Sequence, residues 1–343
     1  MSLLLNERKL KFYFMKLKLN ALFTAFTVMA AMISVMATPF SAETETTEKL
    51  RVMPLGDSIT DGFSTVGGYR TSLCNLLKDN GYSENVDFVG PNWGGDGYDP
   101  QHAGYSGYSI DNIPQESSIS GQRTGISSFI DWLMTEYPAD VVMMQIGTND
   151  ILSYYDLDNI GTRLESLVDT VLTYIPDNGM LYLATIPYMD ASNTLYISST
   201  YFTVESMDEC VDAYNLAIRE IAAEKAAEGK NIRLADVNGV LTKSDLYDGV
   251  HPTADGYAKM GSFWYEKLEA FINSSSESTS EPTTSTSEIK TDYTVADLVM
   301  LSRHLIGISP LSSEYGKLYD INNDGIIDGF DFIAMRKLIV SAE

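Results

Sequence analysis

The segment Leu50-Arg51-Val52-Met53-Pro54-Leu55-Gly56-Asp57-Ser58-Ile59-Thr60 is a short apolar run that ends abruptly on a glycine, an acid and two hydroxyls. An apolar run of this length suits a strand buried on both faces, and the polar cluster marks the place where it leaves the sheet. Four more runs have the same character: Val86–Val89, Asp140–Ile146, Met180–Ile186 and Ile232–Val237. Between them lie segments with helical periodicity, Tyr69–Asp79, Ile160–Ile175 and Ser206–Ala227, and a last one from Ala254 to Phe271 with Thr253 as its N-cap. This alternation predicts an α/β fold, an open parallel sheet covered by helices on both faces. Five strands suit a flavodoxin-like, three-layer α/β/α sandwich, with its switch point between the first and third strands.

Composition bounds what surrounds this body. The chain has 343 residues, of which 44% are hydrophobic, so it can bury a sizeable core. Its net charge of −24 repels phosphate backbones and anionic headgroups, which excludes nucleic acid as a partner. Two cysteines are too few for a disulfide scaffold or a Cys-based zinc site. Arg8, Lys9, Lys11, Lys16 and Lys18 precede an apolar run from Leu19 to Val35, followed by small residues with Ala37 and Ala42 as candidate cleavage points. That order predicts a secretory signal over residues 1–42, with Met15 as an alternative start. The competing reading, a transmembrane anchor, needs a longer run and a basic flank after it. After Phe271 the chain becomes rich in Ser and Thr, which predicts a flexible linker over 273–290. The linker divides a body at 49–272 from a tail at 291–343.

Four short motifs fall at strand ends. Gly56-Asp57-Ser58-Ile59-Thr60 follows the first strand, and His102-Ala103-Gly104-Tyr105-Ser106-Gly107 lies in the loop after the second. Gly147-Thr148-Asn149-Asp150 ends the third, and Asp248-Gly249-Val250-His251-Pro252 follows the fifth. All four gather at the carboxyl edge of the sheet, where doubly wound folds bind ligands. A serine hydroxyl becomes a nucleophile only when a neighbouring base takes its proton, and an imidazole suits that task. The body holds two histidines, His102 and His251. His251 is the better base, because Asp248 stands three residues away and can accept the Nδ1 proton. The N–H groups of Ser58 and Gly107 and the amide of Asn149 are candidate donors to a tetrahedral oxyanion. Asp57 and Asp150 read as turn-stabilising carboxylates, and His102 as a loop-ordering or substrate-contacting residue. Cys74 and Cys210 fall on helices expected on opposite faces, which predicts two free, buried thiols.

Taken together, these four blocks resemble those of the SGNH, or GDSL-type, hydrolases, and the resemblance covers nearly all of the body. It implies Ser58 as nucleophile, His251 as base with Asp248 as its partner, an oxyanion hole of Ser58, Gly107 and Asn149, and no catalytic metal. Within that superfamily the loop His102–Ile110 is most similar to family-3 carbohydrate esterases, which remove acetyl groups from xylan. The substrate expected from it is an acetylated plant-wall polysaccharide. Feruloyl or lipid-like esters are the alternative substrates, and a catalytically silent carbohydrate-binding domain is the alternative class. Trp93, Tyr98, Tyr105 and Tyr108 can stack on sugar rings or build loop cores.

In the tail, Asp320, Asn322, Asp324, Asp328 and Asp331 stand at positions 1, 3, 5, 9 and 12 of a calcium loop, with Ile326 offering its carbonyl. A helix follows, and a similar segment from Asp297 lies 34 residues earlier, so the tail is a duplication. Paired units of this kind after a Ser/Thr linker resemble a type I dockerin, a small α-helical calcium-binding module. The resemblance implies a cohesin module of a scaffold protein as partner, and a secreted, cell-surface multi-enzyme complex as location. The first repeat departs from the pattern. Lys290 falls where calcium needs an oxygen, so one calcium site is expected, in the second loop.

Overall fold

Strand β1 (Leu50–Gly56) lies at the centre of the sheet in the computed structural model, which describes residues 48–277, 293–305, 318–321, 327 and 329–341. The expected signal at 1–42 and residues 278–290 of the expected linker lie outside the described residues. Among the described residues no helix is long and apolar enough to cross a membrane.

The five apolar runs form parallel strands: β1, β2 (Val86–Phe88), β5 (Val141–Gln145), β6 (Met180–Ala184) and β7 (Ile232–Ala235). Their order is β2-β1-β5-β6-β7, the flavodoxin-like arrangement. The sheet departs from the expected five strands in one respect. Two short strands, β3 (Asn92–Trp93) and β4 (Gln101–Gly104), raise it to seven and make it mixed. β4 runs parallel to the end of β1, pairing Leu55 with Ala103 and Gly56 with Gly104, while β3 pairs antiparallel with β4. One edge of β1 is therefore shared, with β2 on its first half and β4 on its second. Strands this short carry no periodicity, so a Gly- and Tyr-rich loop gives no sign of them.

Alternate strand residues feed two cores. Val142, Met144, Leu181 and Leu183 point to one face, covered by α3 (Ile130–Glu136), α5 (Ile160–Leu172) and α6 (Val204–Ala227). Val141, Met143, Tyr182 and Ala184 point to the other, covered by α2 (Gly68–Asp79) and α7 (Ala254–Glu277). Each fully buried Val, Leu or Met among them stabilises the fold by about 1.5–3 kcal/mol. Cys74 on α2 and Cys210 on α6 are free thiols on these opposite faces; Cys74 is buried and Cys210 half-buried.

Helix α7 begins as its sequence suggests, with Thr253 Oγ1 accepting the Gly256 N–H at 3.1 Å. It ends later than expected, at Glu277 rather than near Phe271, so residues 273–277 of the expected linker are helical. Two side-chain bonds occur in this last stretch: Asn273 accepts from the Tyr82 hydroxyl at 3.4 Å, and the Ser274 hydroxyl donates to the Phe271 carbonyl at 2.8 Å.

In the tail, α8 (Val295–Leu305) and α9 (Gly329–Ser341) share a small core of Leu301, Tyr319 and Met335. Asp297, at the last position of the first loop, is engaged by protein donors. The Thr294 N–H and hydroxyl reach its Oδ2 at 2.8 and 2.6 Å, and the Tyr319 hydroxyl reaches its Oδ1 at 2.7 Å. In the second loop, buried Asp331 accepts the Ile321 N–H at 2.7 Å, and Asp320 is half-buried. Asn322, Asp324, Ile326 and Asp328 lie outside the described residues.

Candidate active site

Ser58 is the first residue of α1 (Ser58–Asp61), a single turn that leaves the end of β1. Asp57 caps that turn, its Oδ1 accepting the Ile59 N–H at 3.0 Å. The Ser58 hydroxyl thereby projects at the carboxyl edge of the sheet.

From the other side comes the turn Asp248-Gly249-Val250-His251. Asp248 Oδ1 accepts the N–H groups of Val250 and His251 at 3.0 and 2.8 Å, which folds the turn over its own carboxylate. Its second oxygen, Oδ2, faces His251 Nδ1 at 2.8 Å. An ionised carboxylate can only accept, so Nδ1 carries the proton and Nε2 is left as an acceptor. Ser58 Oγ stands 2.8 Å from Nε2 and donates to it. The three side chains are buried, so the hydrogen-bonded chain Ser58–His251–Asp248 works in a medium less polarisable than water.

Gly107 lies in the loop after β4 with φ +82°, a left-handed conformation that glycine adopts without strain. Neither its N–H nor that of Ser58 has an acceptor among the described residues. Asn149 is the second residue of α4 (Thr148–Leu152), just past β5. The turn before it depends on Gly147, at φ +116°, where a Cβ would come within 2.3 Å of the Tyr214 ring. One amide hydrogen of Asn149 is committed to the Tyr108 carbonyl at 2.8 Å, which fixes the direction of the other. The sheet edge thus carries a serine hydroxyl hydrogen-bonded to an imidazole, together with N–H groups at Ser58, Gly107 and Asn149, and acyl transfer uses groups of these kinds.

Residues 52–264 match the family model of the GDSL-like lipases and acylhydrolases. The chain belongs to that family. In this GDSL-family chain the matched body is followed by residues 294–340, which match the dockerin type I domain. It is 33% identical over 317 residues to a multidomain esterase of Ruminococcus flavefaciens, a match that covers 85% of this chain. The chain spans only 39% of that relative's length. Among solved structures it is similar to a family 3 carbohydrate esterase of Clostridium thermocellum, with a TM-score of 0.50 and 28% identity over 66% of this chain and 98% of the other. A family 3 carbohydrate esterase from Talaromyces cellulolyticus shares the fold, with a TM-score of 0.51 and 21% identity over 66% and 99% of the two chains.

The remaining polar residues of the GDSL hydrolase organise loops around the site. Asp57 is fully buried, and burial pushes its carboxyl up to about 7. Burial likewise raises Asp150 to about 6, against the pull of Arg163, which donates to its Oδ1 at 2.7 Å. Asp150 Oδ2 accepts the Ile110 N–H at 3.0 Å, so this carboxylate anchors the loop that carries Gly107. His102 is buried, with its Nδ1 accepting the Gly104 N–H at 3.1 Å. Burial and the nearby Arg70 cation hold its imidazole down to about 3, so it stays neutral and orders the loop.

Three side chains at the site escape a reading of the sequence. Arg123 donates from Nη1 to the Gly107 carbonyl at 3.0 Å and from Nε to the Ser153 hydroxyl at 2.7 Å. Ser153 in turn gives its N–H to the Asn149 carbonyl, so one guanidinium ties Gly107 to the helix that carries Asn149. Phe63 and Tyr196 flank the His251 ring, with centroids 4.3 and 5.5 Å away. Of the four aromatics singled out earlier, Tyr105 and Tyr108 pack with Phe129, and Tyr98 packs with Phe88. These three are loop core; Trp93 is exposed.

Proposed function

We propose that this esterase removes acetyl groups from plant cell-wall polysaccharide, with xylan as the principal substrate, and that its tail docks it to a cohesin module on a scaffold. The observation that carries the catalytic reading is the unbroken hydrogen-bond chain from Ser58 Oγ through His251 to Asp248 Oδ2. In it His251 takes the Ser58 proton as Oγ attacks the acetyl carbon, while Asp248 stabilises the imidazolium. The N–H groups of Ser58 and Gly107 and the Asn149 amide receive the oxyanion. His251 then protonates the departing sugar oxygen, and water repeats the cycle on the acetyl-enzyme to release acetate. The acetyl and xylan choice is supported by the similarity to a family 3 carbohydrate esterase and by the loop His102–Ile110.

The test is a panel of acetylated xylan, feruloylated arabinoxylan and a long-chain aryl ester. Acetate release from xylan at more than about ten times the rate on either other ester is expected. Preference for a feruloyl or long acyl group overturns the substrate, and no turnover on any ester overturns the enzyme reading for this site.

The tail is read as a calcium-dependent dock. Asp320, Asn322, Asp324, Asp328 and Asp331, with the Ile326 carbonyl, would hold the ion, and the buried Asp331 carboxylate is the kind of hard oxygen donor calcium takes. Calcium supplies a fixed centre around which the loop folds. In the first repeat, Asp297 is held by Thr294 and Tyr319 through hydrogen bonds of protein origin. Chelation is therefore expected to abolish cohesin binding, measured by calorimetry, and to leave hydrolysis within about twofold of its starting rate. Equal loss of both would show that the tail and the body do not act as separate modules. Export to the cell surface, through removal of the residues 1–42 leader, belongs to the same proposal.

A further inference from the structure

The leaving oxygen of the ester has a constrained position. When Ser58 Oγ bonds to the acyl carbon and the ester C–O bond breaks, the proton taken from Ser58 passes from His251 Nε2 to that oxygen. The oxygen must therefore come within about 3 Å of Nε2, and whatever carries it must lie beside the imidazole. The surface there is aromatic. The Phe63 ring lies at 39° to the imidazole, Tyr196 stands edge-on to it at 86°, and the two rings are perpendicular to one another at 6.1 Å.

Both residues are exposed by about two-fifths, 41% and 43%, and the backbone of Phe63 is anchored. The Phe63 N–H donates to the Ser58 carbonyl at 2.9 Å, and its own carbonyl accepts the Tyr257 hydroxyl at 3.0 Å. The next residue, Ser64, is held at φ +73°, with its hydroxyl on the Pro252 carbonyl at 3.0 Å. A non-glycine residue in that region costs on the order of 1 kcal/mol, a strain retained where geometry matters. Tyr196 belongs to the loop between β6 and α6, and Asp190 of that loop donates its N–H to the Gly249 carbonyl at 2.8 Å, inside the His251 turn. Phe63 is thus tied to Ser58, the loop that carries Tyr196 is tied at Asp190 to the His251 turn, and both rings keep surface open to solvent. No partner for the Tyr196 hydroxyl occurs among the described residues.

We propose that Phe63 and Tyr196 form the leaving-group subsite, a corner beside His251 that receives the sugar ring bearing the departing oxygen. The inference rests on the reading of Ser58 and His251 as nucleophile and base. A pyranose fits because it offers an apolar C–H face to one ring and hydroxyls to the Tyr196 hydroxyl. The subsite reads the alcohol half of the ester and is indifferent to the acyl half.

The experiment compares Tyr196→Ala and Phe63→Leu with the wild type on two acetyl esters that differ only in the alcohol, acetylated xylo-oligosaccharide and ethyl acetate. The ratio of kcat/KM values for sugar over ethyl ester is expected to fall about tenfold in each variant, mainly through KM on the sugar. In a second measurement, xylo-oligosaccharide without acetyl groups inhibits the wild type, and Tyr196→Ala raises its inhibition constant by about the same factor. The inference is overturned if both esters lose activity equally, or if the inhibition constant does not move. Failure of the enzyme reading is distinct, since the wild type then hydrolyses neither ester.

Discussion

Ser58→Ala is expected to lower acetate release by about 10⁴- to 10⁶-fold, with little change in melting temperature. The substitution removes one oxygen. The backbone of α1 keeps its cap, because Asp57 bonds to the Ile59 N–H and not to Ser58. The Ser58 carbonyl continues to accept from Gly62 and Phe63, so the turn holds its shape. What disappears is the atom that stands 2.8 Å from His251 Nε2 and that, in the proposed mechanism, forms the acyl bond. The residual rate comes from the oxyanion donors, which can still assist a water molecule. Acetate release on xylan and a thermal melt of the same sample check the two halves of this expectation. A loss of less than about tenfold would place the nucleophile elsewhere.

Asp248→Asn is expected to cost about 10⁴-fold in kcat while preserving the fold. Asp248 Oδ1 accepts two backbone N–H groups, and an asparagine must present its carbonyl oxygen to both of them. Its NH₂ is then turned toward His251 Nδ1, where the carboxylate oxygen had been. Two donors cannot face each other, so Nδ1 gives up its proton and Nε2 takes it. In that tautomer Nε2 no longer accepts from Ser58, and the base is disabled with every heavy atom in place. The nitrogen chemical shifts of His251 report the tautomer directly, and kcat measures its consequence. An active enzyme with an unchanged tautomer would mean that Asp248 does not set the proton's position.

The five parallel strands were legible because each is a continuous apolar run between breakers, and their order follows from a small set of allowed windings. The four loop motifs were legible because strand ends place them on one edge. Ser58, Asp248 and His251 do meet there, within hydrogen-bond distance. Phe63 and Tyr196 were not legible, because no local pattern distinguishes a ring aimed at His251 from a ring filling a loop. Tyr105, Tyr108 and Tyr98 looked at least as well placed, and they pack inward. The linker boundary failed for a related reason. Serine is an indifferent helix former that does not by itself stop a helix, and α7 runs on past the point where composition changes.

The bridge made by Arg123 bears on how this enzyme can be altered. Because one side chain spans the Gly107 carbonyl and the Ser153 hydroxyl, the loop after β4 and the helix after β5 have no independent adjustment. An insertion between residues 108 and 122 displaces the guanidinium along with the chain and unsettles two donors at once. Loop exchange aimed at new substrates has more latitude past Asp190 in the loop between β6 and α6, where Tyr196 can be re-aimed while the Asp190 tie to the His251 turn and the candidate donors at Gly107 and Asn149 stay put. The molecule has one side of its mouth that is rigid by construction and another that is open to redesign.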